Sequence, residues 1–343
     1  NLNGVDMASR DQANRILLPQ KISQAEAKVQ ALRATFKMNP SEYYRHDRVP
    51  KSKVAVNSEL EWEEKRLADL KAIRSTLEEN EEDRQSDPSI PRRGLVYMDD
   101  SKKDDRVKVA ISTGDVDHAK HVSTILPGMN NVPSEDIKDH VKNAELVNKH
   151  AADNAHISQD QVATIAWMYD TPQGGQVVSS KYATKASHEI GSALEGMHAF
   201  RHTNGIERAH TSLLGHSYGS TTAGKVAKMV RKGVLDDLVM YGSPGAGAHD
   251  AREYNLDHGR PYVSGIKTDD DAVKGKGTLN SKFGNNPMFM PGVKHLANNS
   301  ERDRLFFIPW KMFDRHSEYL EEGTSSLEDI SRVVTKVPVK GER

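Results

Sequence analysis

Two hydrophobic periods divide the chain. From about residue 10 to residue 83 apolar positions return every three or four residues. In KISQAEAKVQALRATFKM they are Ile22, Ala25, Val29, Leu32 and Phe36, and in ELEWEEKRLADLKAIRSTLEEN they are Leu60, Leu67, Leu70, Ile73 and Leu77. This spacing lines one helix face, with Glu, Lys and Arg opposite, and predicts two amphipathic helices separated by MNPSEYYRHDRVPKSK. The expectation is a helical hairpin packed on the following domain or on a partner helix, and nothing in it groups catalytic side chains. The polar stretch ENEEDRQSDPSIPRR reads as a linker, which places a domain boundary near residue 90 and divides the chain into 1–90 and 91–343.

Beyond that boundary the period shortens. GLVYMDD and RVKVAIS flank the charged DSKKDD, the pattern of a β-hairpin. HVSTILPG, VATIAWMYD, AHTSLLG, DDLVMYGSPG, RPYVSGIKT and RLFFIPW read as further strands. Between them stand helical runs: SEDIKDHVKNAELVNKHA, ATKASHEIGSALEGMHAFRHT, STTAGKVAKMVRKG closed by Gly233, and SSLEDISRVVTKV. Such alternation predicts an α/β fold with a mostly parallel central sheet and helices on both faces. Residues 274–299, rich in Gly, Asn and Pro, read as an irregular, lid-like loop. Phe283, Met288, Phe289 and Met290 in and beside it could line an acyl pocket or simply pack the loop against the body.

Composition narrows the chemistry. Across 343 residues, 48 Lys and Arg balance 49 Asp and Glu, so no net field argues for nucleic acid or an anionic membrane. There is no cysteine, which removes disulfides, thiolate nucleophiles and zinc–thiolate sites. No apolar run reaches the length of a membrane helix, and the start, NLNGVDMASRDQANR, is neither a signal peptide nor a Met start, so a piece of a longer protein is expected, with the compartment open. His and Asp in HDR, HDA and DVDHAKH lack metal-ligand spacing, and neither GSPGAGAHDA nor TTAGKVAK is a phosphate loop. The sequence implies no metal and no cofactor.

One stretch carries a reaction. In LLGHSYGS, Gly215, His216, Ser217, Tyr218 and Gly219 fit G-x-S-x-G, directly after an expected strand and before an expected helix. A nucleophilic serine at such a turn needs a strained backbone, and glycines two residues to either side let strand and helix approach. The Tyr218 N–H, at the helix start, would face a developing oxyanion, and Met129 or Asn130 of PGMNN would supply a second N–H beside Gly128. In this arrangement the acid and then the base follow the serine in the chain. Asp271 is the preferred acid, with Asp270 and Asp269 as rivals, and His316 the base, with His249, His258 and His295 as substitutes. His216 reads as a packing or hydrogen-bonding residue, and Asp170 as a loop or helix-entry residue on the catalytic edge, or otherwise a contact to substrate or to His316.

The blocks GVDMASRDQANR, VKVAISTGDVDHAKHVSTILPGM, IAWMYDTP, LLGHSYGSTTAGK, VMYGSPGAG and RHSEYL together resemble those of an actinobacterial α/β-hydrolase family long catalogued as a domain of unknown function. The resemblance spans roughly residues 1 to 335 and implies an α/β-hydrolase fold with an N-terminal helical extension. It also implies Ser217 as nucleophile, His316 of RHSEYL as base, and Asp271 as acid, where DDAV replaces the family's Gly-Asp-Pro-hydrophobic pattern. The expectation is a serine hydrolase acting on a carboxylic ester of a small molecule or lipid. Thioesterase, peptidase, phospholipase and acyltransferase chemistry use the same machinery. A secreted phospholipase-type effector, or a catalytically weak scaffold that recruits a protein partner through the N-terminal helices, are the alternatives.

Overall fold

A computed structural model of the chain describes residues 4–37, 51–257, 259–265, 282–297 and 319–340. Helices α1 (Met7–Lys37) and α2 (Lys51–Ser86) come first. An eight-stranded sheet follows, formed by β1 (Arg93–Asp99), β2 (Lys108–Thr113), β3 (His121–Leu126), β4 (Val162–Met168), β5 (His210–His216), β6 (Asp237–Tyr241), β7 (Pro261–Ser264) and β8 (Lys294–His295). Between and after the strands run α3 (Pro133–Ala155), α4 (Lys181–Thr203), α5 (Tyr218–Met229) and α6 (Ser325–Val334). The strand order is β1-β2-β4-β3-β5-β6-β7-β8, and only β2 runs against its neighbours. This is the α/β-hydrolase fold.

The central strands are buried along nearly their whole length because helices cover both faces. Every residue of β4, VATIAWM, is buried. On one face α4 and α5 enclose a core that includes Ile190, Leu194, Leu213 and Val226. On the other, Ile137 and Val141 of α3 and Leu327 and Ile330 of α6 pack with Ile111 and Ile125. Leu18, Ile22 and Ala25 of α1 and Leu70, Ile73 and Leu77 of α2 belong to that same second core.

Side chains of α1 also occupy the outer edge of the sheet. β1 is an edge strand, and its Leu95 N–H donates to Asp11 Oδ1 at 2.6 Å while Leu95 O accepts from Asn14 Nδ2 at 2.8 Å. Arg15 Nη2 donates to Arg93 O at 2.6 Å. An exposed strand edge is a template for pairing with other chains, and here helix side chains satisfy it. Asp117 closes the circuit by accepting from the Met7 and Ala8 N–H groups at the start of α1.

Several boundaries differ from those expected. The proposed linker from Glu79 is helical as far as Ser86, because Glu79, Asn80 and Arg84 turn back onto Lys138, Arg93 and the Ile90 carbonyl. α5 ends at Met229 with Val230 at its C-cap, not at Gly233, which turns the chain three residues later at φ 95°. Part of the stretch read as an irregular loop is β8, since Lys294 and His295 pair in parallel with Tyr262 and Val263. The expected strand at 304–310 and the continuation of RPYVSGIKT past Gly265 lie outside the described residues.

Candidate active site

Ser217 stands between β5 and α5 with φ 50° and ψ −123°, a region that residues with a Cβ rarely enter. Three contacts hold it there. Its N–H donates to Tyr241 O at 2.9 Å, and its carbonyl accepts from Ser220 N–H at 3.0 Å and from Ser220 Oγ at 2.6 Å. Ser220 Oγ lies 2.6 Å from Ser243 Oγ, tying the turn to the loop after β6.

The glycines are required by distance. A Cβ on Gly215 would lie 2.6 Å from Gly219 O, and one on Gly219 would lie 2.5 Å from both Leu126 O and Pro127 O. A Cβ on Gly128 would lie 3.0 Å from Ser217 Cβ and 3.4 Å from its Oγ. Helix, serine and the loop after β3 therefore meet at backbone contact, which only hydrogen side chains permit.

Tyr218 is turned away from the serine. Its hydroxyl donates to Ser179 O at 2.6 Å and accepts from Ala183 N–H at 3.2 Å, and its ring meets Phe283 edge to face at 5.9 Å. Burial pushes this phenol up to about 12. As the first residue of α5, Tyr218 leaves its N–H without an intrahelical acceptor.

The two residues considered for the second N–H separate on inspection. Asn130 adopts φ 60°, and its N–H already donates to Pro172 O at 3.0 Å while its Oδ1 accepts from Gly174 N–H at 2.8 Å. Among the described residues the Met129 N–H has no such acceptor.

His216 stacks on Tyr241 at 5.3 Å and also meets Tyr319 at 6.0 Å, while Tyr319 lies 5.5 Å from Tyr241. It is a ring in an aromatic cluster beside the serine, as its place in the motif suggested. His249 is exposed, with its Nδ1 3.3 Å from Asn285 Oδ1, and His295 sits on β8 in register with Val263. Asp269, Asp270, Asp271, His258 and His316 lie outside the described residues. Phe283 and Met290 are buried in the core, whereas Phe289 is 82% exposed and Met288 lies over Gly265 at the carboxyl end of β7. Among the described residues no group of His, Asp or Glu is arranged to hold a metal ion.

Asp170 follows β4 on the same edge of the sheet, two strands from Ser217. Burial, with Asp105 and Glu189 adding negative charge and Lys108 opposing them, pushes its carboxyl up to about 6. A raised value means that the folded state holds the proton more tightly than the unfolded chain. The resulting stability is complete below the ordinary carboxylate value and is lost as pH rises through about 6. Asp170→Asn should therefore stabilise the fold near neutral pH by about 1 kcal/mol after solvent screening, seen as a raised thermal midpoint, and leave the midpoint unchanged below about pH 4. Scanning calorimetry at the two pH values checks this, and equal shifts at both would mean that the carboxyl is not held protonated.

With this geometry in view, comparisons with known proteins place the chain. Residues 102–280, more than half of the chain, match the model of an alpha/beta hydrolase family, and the chain belongs to that family. An uncharacterized protein of Mycobacterium tuberculosis is 29% identical over 243 residues, covering 68% of this chain and 84% of its own, and a Mycobacterium bovis protein matches equally. A second uncharacterized Mycobacterium tuberculosis protein is 33% identical over 182 residues, 49% of this chain and 26% of its own. Among solved structures, the esterase Est22 is 10% identical with a TM-score of 0.39, covering 90% of this chain and 92% of its own. Dienelactone hydrolase from Anabaena variabilis is 10% identical with a TM-score of 0.38, covering 74% and 99%.

Proposed function

We propose that the chain is a serine hydrolase of carboxylic esters with Ser217 as nucleophile. The observation that carries this reading is the backbone of Ser217 itself, held at φ 50° at a strand-to-helix turn with glycine contacts on both sides. Such strain persists where a side chain must be presented at a fixed point, and the start of α5 supplies a positive dipole end beside it.

In this reading His316 takes the hydroxyl proton as Ser217 Oγ adds to the ester carbonyl, and Asp271 steadies the imidazolium. Asp270 and Asp269 remain its rivals. The Tyr218 and Met129 N–H groups receive the oxyanion. The imidazolium returns its proton to the departing alcohol, and water, activated by the same imidazole, releases the acid from the acyl-enzyme. No cofactor enters these steps. Tyr319 supports the choice of base, because its buried ring packs beside His216, next to Ser217, and three residues of chain reach at most about 10 Å. Gly265 supports the acid region, since it leaves β7 beside the strand whose Tyr241 O binds the Ser217 N–H. The exposed Phe289 and the adjacent Met288 offer an apolar rim to an acyl group. Residues 1–90 serve as a helical extension of the catalytic unit 91–343, a reading supported by their shared core.

The experiment is labelling of the wild-type chain by a fluorophosphonate, read by peptide mass, followed by turnover of p-nitrophenyl esters of graded acyl length. One adduct on Ser217 and ester turnover are expected. An unlabelled, folded protein without turnover would sink the reading.

A further inference from the structure

The loop that carries Met129 has an internal bond there, from Asn131 Nδ2 to Met129 O at 2.9 Å, and is braced further from outside. It is laced to the segment after β4, YDTPQG, by side-chain and backbone hydrogen bonds. Thr171 Oγ1 donates to Asn131 O at 2.8 Å, Asn130 N–H donates to Pro172 O at 3.0 Å, and Gly174 N–H donates to Asn130 Oδ1 at 2.8 Å. These bonds hold Asn130 at its positive φ and so set the direction of the adjoining peptide.

At the root of the loop the connection is made by one phenol. Tyr169 is 2% exposed, and its hydroxyl donates to Pro127 O at 3.2 Å while accepting from Thr222 Oγ1 at 3.1 Å. Thr222 lies one turn into α5 and is fully buried, with its Oγ1 3.5 Å from Tyr218 O. Because Tyr218 and Thr222 are one turn apart on α5, the bonds from Thr222 Oγ1 to the phenol and from the phenol to Pro127 O join the two backbone segments whose N–H groups would form the oxyanion site. Burial drives the phenol far above its ordinary range, so it remains a donor at any working pH. A buried hydroxyl with both partners satisfied fixes their separation, since losing it strands a carbonyl in an apolar interior.

We propose that Tyr169, acting with Thr222, is a positioning residue that sets the distance between the Tyr218 and Met129 N–H groups. The inference rests on the ester-hydrolase reading of Ser217. Neither residue touches substrate. Their effect falls on a site used in the transition state, so it should move kcat and leave KM nearly unchanged.

The test uses the full chain and a p-nitrophenyl ester that it hydrolyses. Tyr169→Phe, which keeps the ring and removes the hydroxyl, is expected to lower kcat about ten-fold with KM within about two-fold, a fraction of what deleting an oxyanion donor costs. Affinity for a trifluoromethyl ketone carrying the same acyl group, which forms the tetrahedral oxyanion on the serine, should fall by the same factor. Thr222→Val should lower kcat in the same direction, whereas Thr222→Ser, which keeps the hydroxyl, should restore it. That Thr222 pair carries the test should Tyr169→Phe fail to fold. Wild-type kcat and ketone affinity in a folded Tyr169→Phe, a loss confined to KM, or equal kcat for Thr222→Val and Thr222→Ser would overturn the inference while leaving the hydrolase reading intact. A wild-type chain that neither turns over esters nor labels on Ser217 would overturn both.

Discussion

Ser217→Ala is expected to lower kcat/KM for an ester substrate by about four orders of magnitude or more, with KM for any residual turnover little changed. The fold should survive. Alanine keeps the Cβ, so the cost of φ 50° is already present in the wild-type turn, and the bonds that hold the turn are made by the Ser217 backbone to Tyr241 and Ser220. The thermal midpoint should therefore stay within about 2 °C, as for a substitution that removes no packed or paired group. Stopped assays with the purified variant, set beside its melting curve, check both halves. Retained turnover at an unchanged midpoint would place the nucleophile elsewhere.

The second large effect is on stability. Asp69, on α2, is fully buried and receives four donors, from the residues before β2 and the start of α3: Arg106 through Nε and Nη2, the Val107 N–H at 3.1 Å and the Ser134 N–H at 3.0 Å. Asp69→Ala leaves a largely buried guanidinium with only Ser134 Oγ as a side-chain acceptor among the described residues and strips two backbone donors of theirs. Breaking such a pair costs about 3–5 kcal/mol. In urea the midpoint should fall accordingly at an unchanged slope, and Asp69→Asn, which keeps two acceptor lone pairs but not the charge, should fall between. An unchanged midpoint would mean that α2 can leave without disturbing the sheet. The expected result makes the helical extension part of the same cooperative unit.

Much of the fold was legible because the code for it is local. Whole-length burial made β4 read as an apolar run, and the three-and-four spacing of Ile22, Ala25, Val29 and Leu32 marked one face of α1, all four of which are buried. The turn at Ser217 was equally local, since strand, glycines and helix are consecutive. Asn130 shows the limit. As a sequence, PGMNN offers two candidate donors, and only the approach of Pro172, 42 residues later, engages one of them. β8 was missed because two residues of strand carry no period, and their pairing depends on β7 being beside them. Tyr169 and Thr222 gave no signal beyond their place after a strand and within a helix.

The chain's pattern by itself determined the fold class, the helical start and the position of the candidate nucleophile, because each is encoded by neighbours within a few residues. Tertiary structure alone decided that α1 closes the sheet edge through Asp11 and Asn14, that α2 is keyed to the body by Asp69, and that the loop after β3 is braced from the segment after β4. Those relations join residues up to 84 positions apart. They arise from burying polar groups that must then find partners, and no periodicity in a single sequence records which partners those will be.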